Sequence, residues 1–108
     1  MAMDVAKLRK LVALDEDDAL SRFALGQALF QEGTAEAMTE AVEHLGFANS
    51  KAPEHLATYH ILGQALIKLN RNSEARDVLL AGGKRVEAVG EGKGRDLGPA
   101  MADMLESL

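Results

Sequence analysis

The chain has no cysteine and no tryptophan, and its 108 residues include only one tyrosine, three phenylalanines and two prolines. The absence of cysteine excludes disulfides, thiolate metal sites and thiol nucleophiles. With so few aromatic residues, a core must be built mainly from leucine, alanine, valine and methionine, and this mixture favours helices over strands. We therefore expect an all-helical protein without redox chemistry.

Long uninterrupted apolar segments are also missing. Lys7, Arg9 and Lys10 interrupt the N-terminal region, so the sequence predicts neither a secretory signal nor a membrane span, and we expect a soluble, cytoplasmic protein. The net charge is −5 and the sequence pI is near 5.1. An acidic protein repels phosphate backbones, which argues against nucleic acid as a partner. Hydrophobic residues make up 47% of the chain, enough for one domain over residues 1–108.

An internal repeat is the strongest pattern in the sequence. The pentapeptide LGQAL occupies residues 25–29 and recurs unchanged at residues 62–66, an offset of 37, whereas the dipeptide EA at 40–41 recurs at 74–75, an offset of 34. The three-residue difference falls between residues 33 and 40. It is close to one helical turn of about 3.6 residues, so it predicts a longer helix at this place rather than a break.

The apolar residues of both copies follow helical spacing. The first copy has Leu25, Ala28 and Leu29, then a turn at Gly33, then Ala41, Leu45 and Ala48; the second has Leu62, Ala65, Leu66 and Leu69, a turn at 70–72, then Ala75, Val78 and Leu79. Each copy is therefore predicted to form two amphipathic helices joined by a tight turn, with repeats at about 19–53 and 56–89.

Capping residues and glycines refine this prediction. Asp15 is expected to be the N-cap of the helix that carries Phe23, and Pro53 is expected in the first turn of a helix. Gly26 and Gly63 lie in helix interiors, where glycine costs about 0.5–1 kcal/mol relative to alanine. Their presence predicts that another helix packs closely at each position.

Apolar residues outside the two repeats predict a capping helix at each end of the chain. The N-terminal helix would contain Val5, Leu8, Val12 and Leu14. After a break at the glycines 90, 92 and 94, a closing helix is predicted at about 96–107, with an apolar stripe of Leu97, Met101, Met104 and Leu105 that continues to Leu108. Two stacked repeats leave an apolar face at each end, and terminal helices cover such faces.

The spacing of the small residues resembles the consensus of the tetratricopeptide repeat family. A leucine-glycine pair is followed by alanine two residues later; Gly63 and Ala75 are twelve residues apart, and Ala41 and Pro53 are also twelve apart. The period of ~34 residues is that of the family. The resemblance covers about residues 15–89 and implies antiparallel helix-turn-helix repeats in a superhelix, here two repeats plus the terminal capping helices.

One position departs from the family pattern. Arg22 stands where the family prefers a large aromatic residue, which Tyr59 supplies in the second repeat. The packing around Arg22 is therefore expected to differ between the two repeats.

The resemblance also implies a binding groove, because the first helix of each repeat lines a concave surface in this family. The corresponding residues are Phe23, Gln27, Phe30 and Gln31 in the first repeat and His60, Gln64, Ile67 and Lys68 in the second. Apolar and amide side chains predict that a peptide or an amphipathic helix of another protein binds there. The alternative is that the N-terminal helix buries one or both phenylalanines.

The family includes a subclass that binds acidic C-terminal tails through a lysine and asparagines, and the sequence departs from that subclass. Phe23 and His60 stand where the lysine is expected, and Gln27 and Gln64 replace the asparagine. Binding of acidic tails is therefore not expected.

Residues that could support catalysis or bind a cofactor form no known motif. His44, His55 and His60 match no metal-binding spacing, and the glycine-rich segments at 82–84 and 90–94 lack the spacing of a phosphate loop. We expect no enzyme activity, no metal and no cofactor. The predicted function is a protein-binding module; the alternative is a structural protein that associates with itself, for example as a homodimer.

Overall fold

A computed structural model describes residues 4–89 and 96–108, so the predicted break at glycines 90, 92 and 94 lies outside the described residues. The described part contains helices and no strand. The helices are α1 (Val5–Leu14), α2 (Ala19–Glu32), α3 (Ala35–Lys51), α4 (Leu56–Lys68), α5 (Asn72–Val89) and α6 (Leu97–Glu106). The all-α fold class is confirmed. The chain divides after Pro53 into two compact units, which contain α1–α3 and α4–α6.

In the N-terminal unit, α2 and α3 form a helical hairpin and α1 packs on α2. The turn uses Gly33, whose φ of 78° ends α2 in the left-handed conformation. Thr34 caps α3, and its hydroxyl accepts a hydrogen bond from the N–H of Ala37 at 3.1 Å. α3 begins six residues before Ala41, whereas α5 begins three residues before Ala75. The three additional residues therefore lengthen α3 by nearly one turn, as the sequence predicted.

The N-cap of α2 is Asp18, so the prediction of Asp15 is wrong. The Asp18 carboxylate accepts hydrogen bonds from the backbone N–H and the hydroxyl of Ser21, at 3.3 and 2.6 Å. The bond from the Ser21 hydroxyl lowers the pKa of Asp18. Asp15 instead ends α1, and its carboxylate accepts from the N–H of Asp17 at 3.2 Å. The chain uses the acidic segment to turn between two helices, so only its last aspartate reaches the first turn of α2.

In the C-terminal unit, α4 and α5 form a second hairpin and α6 packs against both. α4 begins at Leu56, so Pro53 lies in the turn before the helix and its predicted place in the first helical turn is wrong. His55 is the N-cap residue of α4, and its Nδ1 lies 2.8 Å from the hydroxyl of Thr58 in the first turn. Asn70, with a φ of 60°, adopts the left-handed conformation in the turn that follows α4.

One cluster in the core of the C-terminal unit brings together a buried residue from each of its three helices. These residues are Tyr59, Leu79 and Met101, and the partly buried side chains that pack against them are Ile67, Val78, Val86, Leu97, Met104, Leu105 and Leu108. The apolar stripe predicted for the closing helix therefore faces the hairpin, and α6 covers the apolar side of α4 and α5.

The two interior glycines mark close helix crossings, as predicted. A Cβ atom on Gly26 would lie 2.6 Å from Cγ of Leu45, and one on Gly63 would lie 2.6 Å from Cδ2 of Leu79. By contrast, a Cβ on Gly46 in α3 would meet nothing within 4 Å. The leucine of the second helix thus occupies the space that the glycine of the first helix leaves free in each hairpin.

Candidate interaction surface

The outward side of α2 presents a continuous apolar and amide surface. Gln27 and Gln31 are exposed, whereas Phe23 and Phe30 are half-buried. Leu20 is 64% exposed and extends the same side, because it precedes the glutamines by seven and eleven residues. We call these five residues the α2 face. Leu20 was not among the residues predicted from the sequence, although its spacing from the two glutamines indicates that it lies on the same side of α2.

The phenylalanines of the α2 face keep accessible surface. α1 packs on α2 and buries its own Leu8 and Val12, yet neither Phe23 nor Phe30 belongs to the buried core. Both rings therefore combine intramolecular packing with partial access to solvent.

The α2 face carries no charged side chain, although charged residues make up 27% of the chain. Within α2 only Arg22 and Glu32 are charged, whereas α3 contains four acidic or basic residues. The second hairpin has the same asymmetry, because Lys68 is the one charged residue of α4 and α5 contains six. The first helix of each hairpin is therefore depleted of charge relative to its second helix.

The four candidate residues of α4 differ in their surroundings. Lys68 is exposed, and His60, Gln64 and Ile67 are half-buried. Ile67 also packs against the core formed by Tyr59, Leu79 and Met101. Part of the apolar surface of Ile67 is therefore covered within the C-terminal unit. That the residues of α2 and α4 line one groove stays a prediction.

Arg22 is held by three groups of the N-terminal unit and is not part of the α2 face. Its Nε donates to the backbone carbonyl of Glu16 at 2.9 Å, and its Nη1 lies 3.3 Å from Nδ1 of His44. The guanidinium also stacks 4.3 Å from the centre of the Phe47 ring. Because arginine only donates hydrogen bonds, Nδ1 of His44 must accept, and its Nε2 carries the proton.

The hydrogen-bonded chain continues from His44 to α1. Nε2 of His44 lies 3.2 Å from the Glu40 carboxylate, which also receives a bidentate interaction from the Arg9 guanidinium, with one bond of 2.9 Å between Nη2 and Oε1. Arg9 lowers the pKa of Glu40 to about 2; the bond from His44 acts in the same direction, and desolvation opposes both. This ion pair ties α1 to α3.

Phe47 explains how the unit accommodates Arg22 at the position where the family prefers an aromatic residue. In the first hairpin the ring comes from α3 and stacks on Arg22, whereas the residue 34 positions after Phe47 is Ala81. In the second hairpin the ring comes from α4, as Tyr59, which lies against Gly82 of α5. Each hairpin therefore has one aromatic ring at this pair of positions, supplied by opposite helices.

Neither a metal site nor a membrane helix is found in the part of the chain that the structure describes. Among residues 4–89 and 96–108, no three histidine, aspartate or glutamate side chains are grouped so that they could hold a metal ion. No helix of these segments is both long enough and apolar enough to cross a membrane.

Comparison with known proteins gives one family. The model of the family described as "Anaphase-promoting complex, cyclosome, subunit 3" matches residues 7–82, which include all of α1 except its first two residues, all of α2 to α4, and more than half of α5. No curated protein and no solved structure shows significant similarity to the chain. The matched segment contains the first helical hairpin and most of the second, both LGQAL segments and both close glycine crossings. The chain therefore belongs to this family, which is of the tetratricopeptide repeat type.

Proposed function

We propose that the chain is a protein-binding module and that the α2 face is its principal contact surface, together with His60, Gln64, Ile67 and Lys68 of α4. The observation that carries the proposal is the depletion of charge on the first helices. A partner can cover the apolar and amide side chains of the α2 face without burying a charged group away from water, which is energetically costly. The family is named after a subunit of a multiprotein complex, in keeping with such a role.

The chemistry of the α2 face indicates the kind of partner. Leu20, Phe23 and Phe30 offer apolar contacts, and the amides of Gln27 and Gln31 donate and accept hydrogen bonds. The 14 residues of α2 extend over about 21 Å, which suits about four turns of an amphipathic helix or an extended peptide of about six residues. We propose such a segment of another protein as the partner, in the cytoplasm, and with no enzyme activity, cofactor or nucleic acid involved.

Self-association is the second candidate function. The observation that favours it is the exposure of Leu11 and Leu14 on α1, which is 41% and 83%, on the side of the helix that α2 does not cover. Sedimentation velocity over a range of protein concentrations tests self-association, and capture of partner proteins by variants of the α2 face tests binding of other proteins, so each candidate has its own measurement.

Substitutions on the α2 face test the principal proposal. We expect Phe30→Glu and Leu20→Glu each to abolish partner binding and to leave helical content near wild type, because a carboxylate in an apolar interface is desolvated without a partner. Leu80→Glu is the matched control, since Leu80 is 49% exposed on α5. The immobilised chain would capture proteins from a lysate of its native cell, and quantitative mass spectrometry would compare wild type with the three variants.

The pattern across the variants decides between outcomes. Partners retained by wild type and Leu80→Glu but lost by both α2 variants support the proposal. If Phe30→Glu and Leu20→Glu retain the same partners, the binding surface lies elsewhere. If Phe30→Glu unfolds in circular dichroism, Phe30 belongs to the core, and Leu20→Glu alone then tests the face.

A further inference from the structure

α1 presents a basic and apolar stripe to solvent. Lys7, Lys10, Leu11 and Leu14 follow the spacing i, i+3, i+4, i+7 of one helix side, and all four are exposed. α1 contains three basic residues and no acidic one. Leu14 is the most exposed large hydrophobic residue of the described chain. The buried residues of α1 are Leu8 and Val12, whereas none of the four residues of this stripe, which we call the α1 stripe, belongs to the buried core.

α6 presents a second stripe with the same spacing and the opposite charge. Pro99, Ala102, Asp103 and Glu106 lie at i, i+3, i+4 and i+7, and all four are exposed. α6 contains two acidic residues and no basic one. Its large apolar side chains face the core of the C-terminal unit, so the outward α6 stripe is formed by small and acidic residues alone.

The two stripes are complementary in one orientation only. Read from the N-terminus, the α1 stripe is basic and then apolar, whereas the α6 stripe is small and apolar and then acidic. Antiparallel alignment pairs Lys7 with Glu106, Lys10 with Asp103, Leu11 with Ala102, and Leu14 with Pro99, with all four pairs in a single register. Parallel alignment would place the leucines against the carboxylates and leave the lysines without acidic partners.

The sizes of the facing residues also match. Leu11 and Leu14 project from α1, and Ala102 and Pro99 are short enough for the two helix backbones to approach each other. Pro99 lies in the first turn of α6, where its missing N–H leaves the helical hydrogen bonds intact. The exposed leucines would thus be covered by the part of α6 that has the most room for them.

We propose that the α1 stripe of one copy of this chain binds the α6 stripe of a second copy in this antiparallel register. Each copy carries both stripes, so two copies that exchange both contacts form a closed dimer, and copies that exchange one contact at a time form a head-to-tail series. The α2 face takes no part in this contact. Its failure and the failure of the proposed partner binding are therefore distinguishable.

Charge reversal tests the contact on the complete chain. Because one helix pair buries little surface, sedimentation velocity should cover about 10 μM to about 1 mM. We expect wild type to associate and to dissociate as salt rises from about 0.05 to about 0.5 M, since salt screens exposed charge pairs. Lys7→Glu/Lys10→Glu and Asp103→Lys/Glu106→Lys should each raise the dissociation constant at least about tenfold.

Mixing the two charge-reversed proteins gives the sharpest result. The acidic α1 of the first variant faces the basic α6 of the second, and the unchanged helices of the two variants also remain complementary. The equimolar mixture should therefore associate as wild type does, although each variant alone associates at least about tenfold more weakly. Contacts of α1 with α1, or of α6 with α6, predict instead that one variant keeps the wild-type behaviour.

Two further variants control for net charge and for the apolar half of the contact. Lys84→Glu/Arg85→Glu makes the same change in net charge on exposed residues of α5 and should leave association unchanged. Leu14→Asp should abolish association while circular dichroism and melting temperature stay at wild-type values, because Leu14 is 83% exposed. A monomeric wild type at all concentrations, a Leu14→Asp protein that still associates, or a mixture that stays monomeric would each overturn the proposal.

Discussion

Replacing Gly63 with alanine tests the close crossing of α4 and α5. The added Cβ would lie 2.6 Å from Cδ2 and 2.9 Å from Cγ of Leu79, and Leu79 is fully buried. Overpacking of this kind costs about 1–3 kcal/mol, whereas alanine gains about 1 kcal/mol of helix propensity over glycine. We therefore expect a net loss of up to about 2 kcal/mol for Gly63→Ala, and gross destabilisation or unfolding for the much larger Gly63→Leu.

Urea denaturation followed by circular dichroism measures this free energy of unfolding. Thermal melting gives a second reading, since each kcal/mol lowers the melting temperature of a domain of this size by about 4–8 °C. Gly46→Ala is the matched control, because Gly46 is also in a helix interior and its Cβ would meet nothing within 4 Å. It should be stabilised by about 0.5–1 kcal/mol.

A double-mutant cycle with Leu79→Ala identifies the colliding side chain. Leu79→Ala removes Cγ and both Cδ atoms and should itself cost about 2–5 kcal/mol. In that background Gly63→Ala no longer meets an obstacle and should become neutral or stabilising, with a coupling energy of about 1–3 kcal/mol. The reasoning fails if Gly63→Ala stabilises the wild type as much as Gly46→Ala does, or if its effect is the same in both backgrounds.

Two other predictions concern the ion pair between α1 and α3 and the packing of α6. The folded-state pKa of Glu40 is lowered from 4.5 to about 2 by Arg9, so the stability that this carboxylate contributes is complete above pH 4.5 and is lost as the pH falls towards 2. Because the pair is partly exposed, we expect wild type to lose about 1 kcal/mol more than Glu40→Gln over this window, measured by urea denaturation at each pH; parallel curves would contradict the linkage. Deleting residues 97–108 removes the cover of Tyr59 and Leu79, so the truncated chain should melt at a lower temperature and scatter light. A truncated chain with unchanged melting and no scattering would show that α6 is not the cover of this core.

The periodic features of the fold could be predicted from the sequence because each depends on the spacing of residues that are close together in the chain. The two LGQAL segments predicted the first helix of each hairpin, and Gly33 predicted the turn between α2 and α3. Gly26 and Gly63 predicted close crossings, because glycine in a helix interior is unfavourable unless another group occupies the space of its missing side chain. The uncharged outer side of α2 follows from the same helical period, and Leu20 could have been included with it.

Features that depend on pairs of residues far apart in the chain could not be predicted. Arg9 and Glu40 are 31 residues apart, and Arg22 and His44 are 22 apart, so no local period relates them. From the sequence alone these charged side chains would be expected on the solvated surface. In the structure, hydrogen bonds and an ion pair connect them across α1, α2 and α3. The predicted N-cap of α2 was wrong for a related reason. Three of the four consecutive acidic residues are aspartates, which can each cap a helix, and only the path of the chain selects Asp18.

α6 shows that a leucine-glycine motif allows another helix to pack closely but does not determine which helix that is. Residues 97–101 read LGPAM and so resemble LGQAL, yet a Cβ on Gly98 would meet Val86 of the preceding helix at 3.1 Å, whereas Gly26 and Gly63 each face a leucine of the following helix. The other half of the contact comes from α5, where a Cβ on Gly82 would lie 2.7 Å from Sδ of Met101. Each helix thus offers a glycine to an apolar side chain of the other, and this reciprocal fit holds α6 on α5. The glycine of the motif sets how near a neighbouring helix can come, and the apolar residue on that neighbour decides which helix it is.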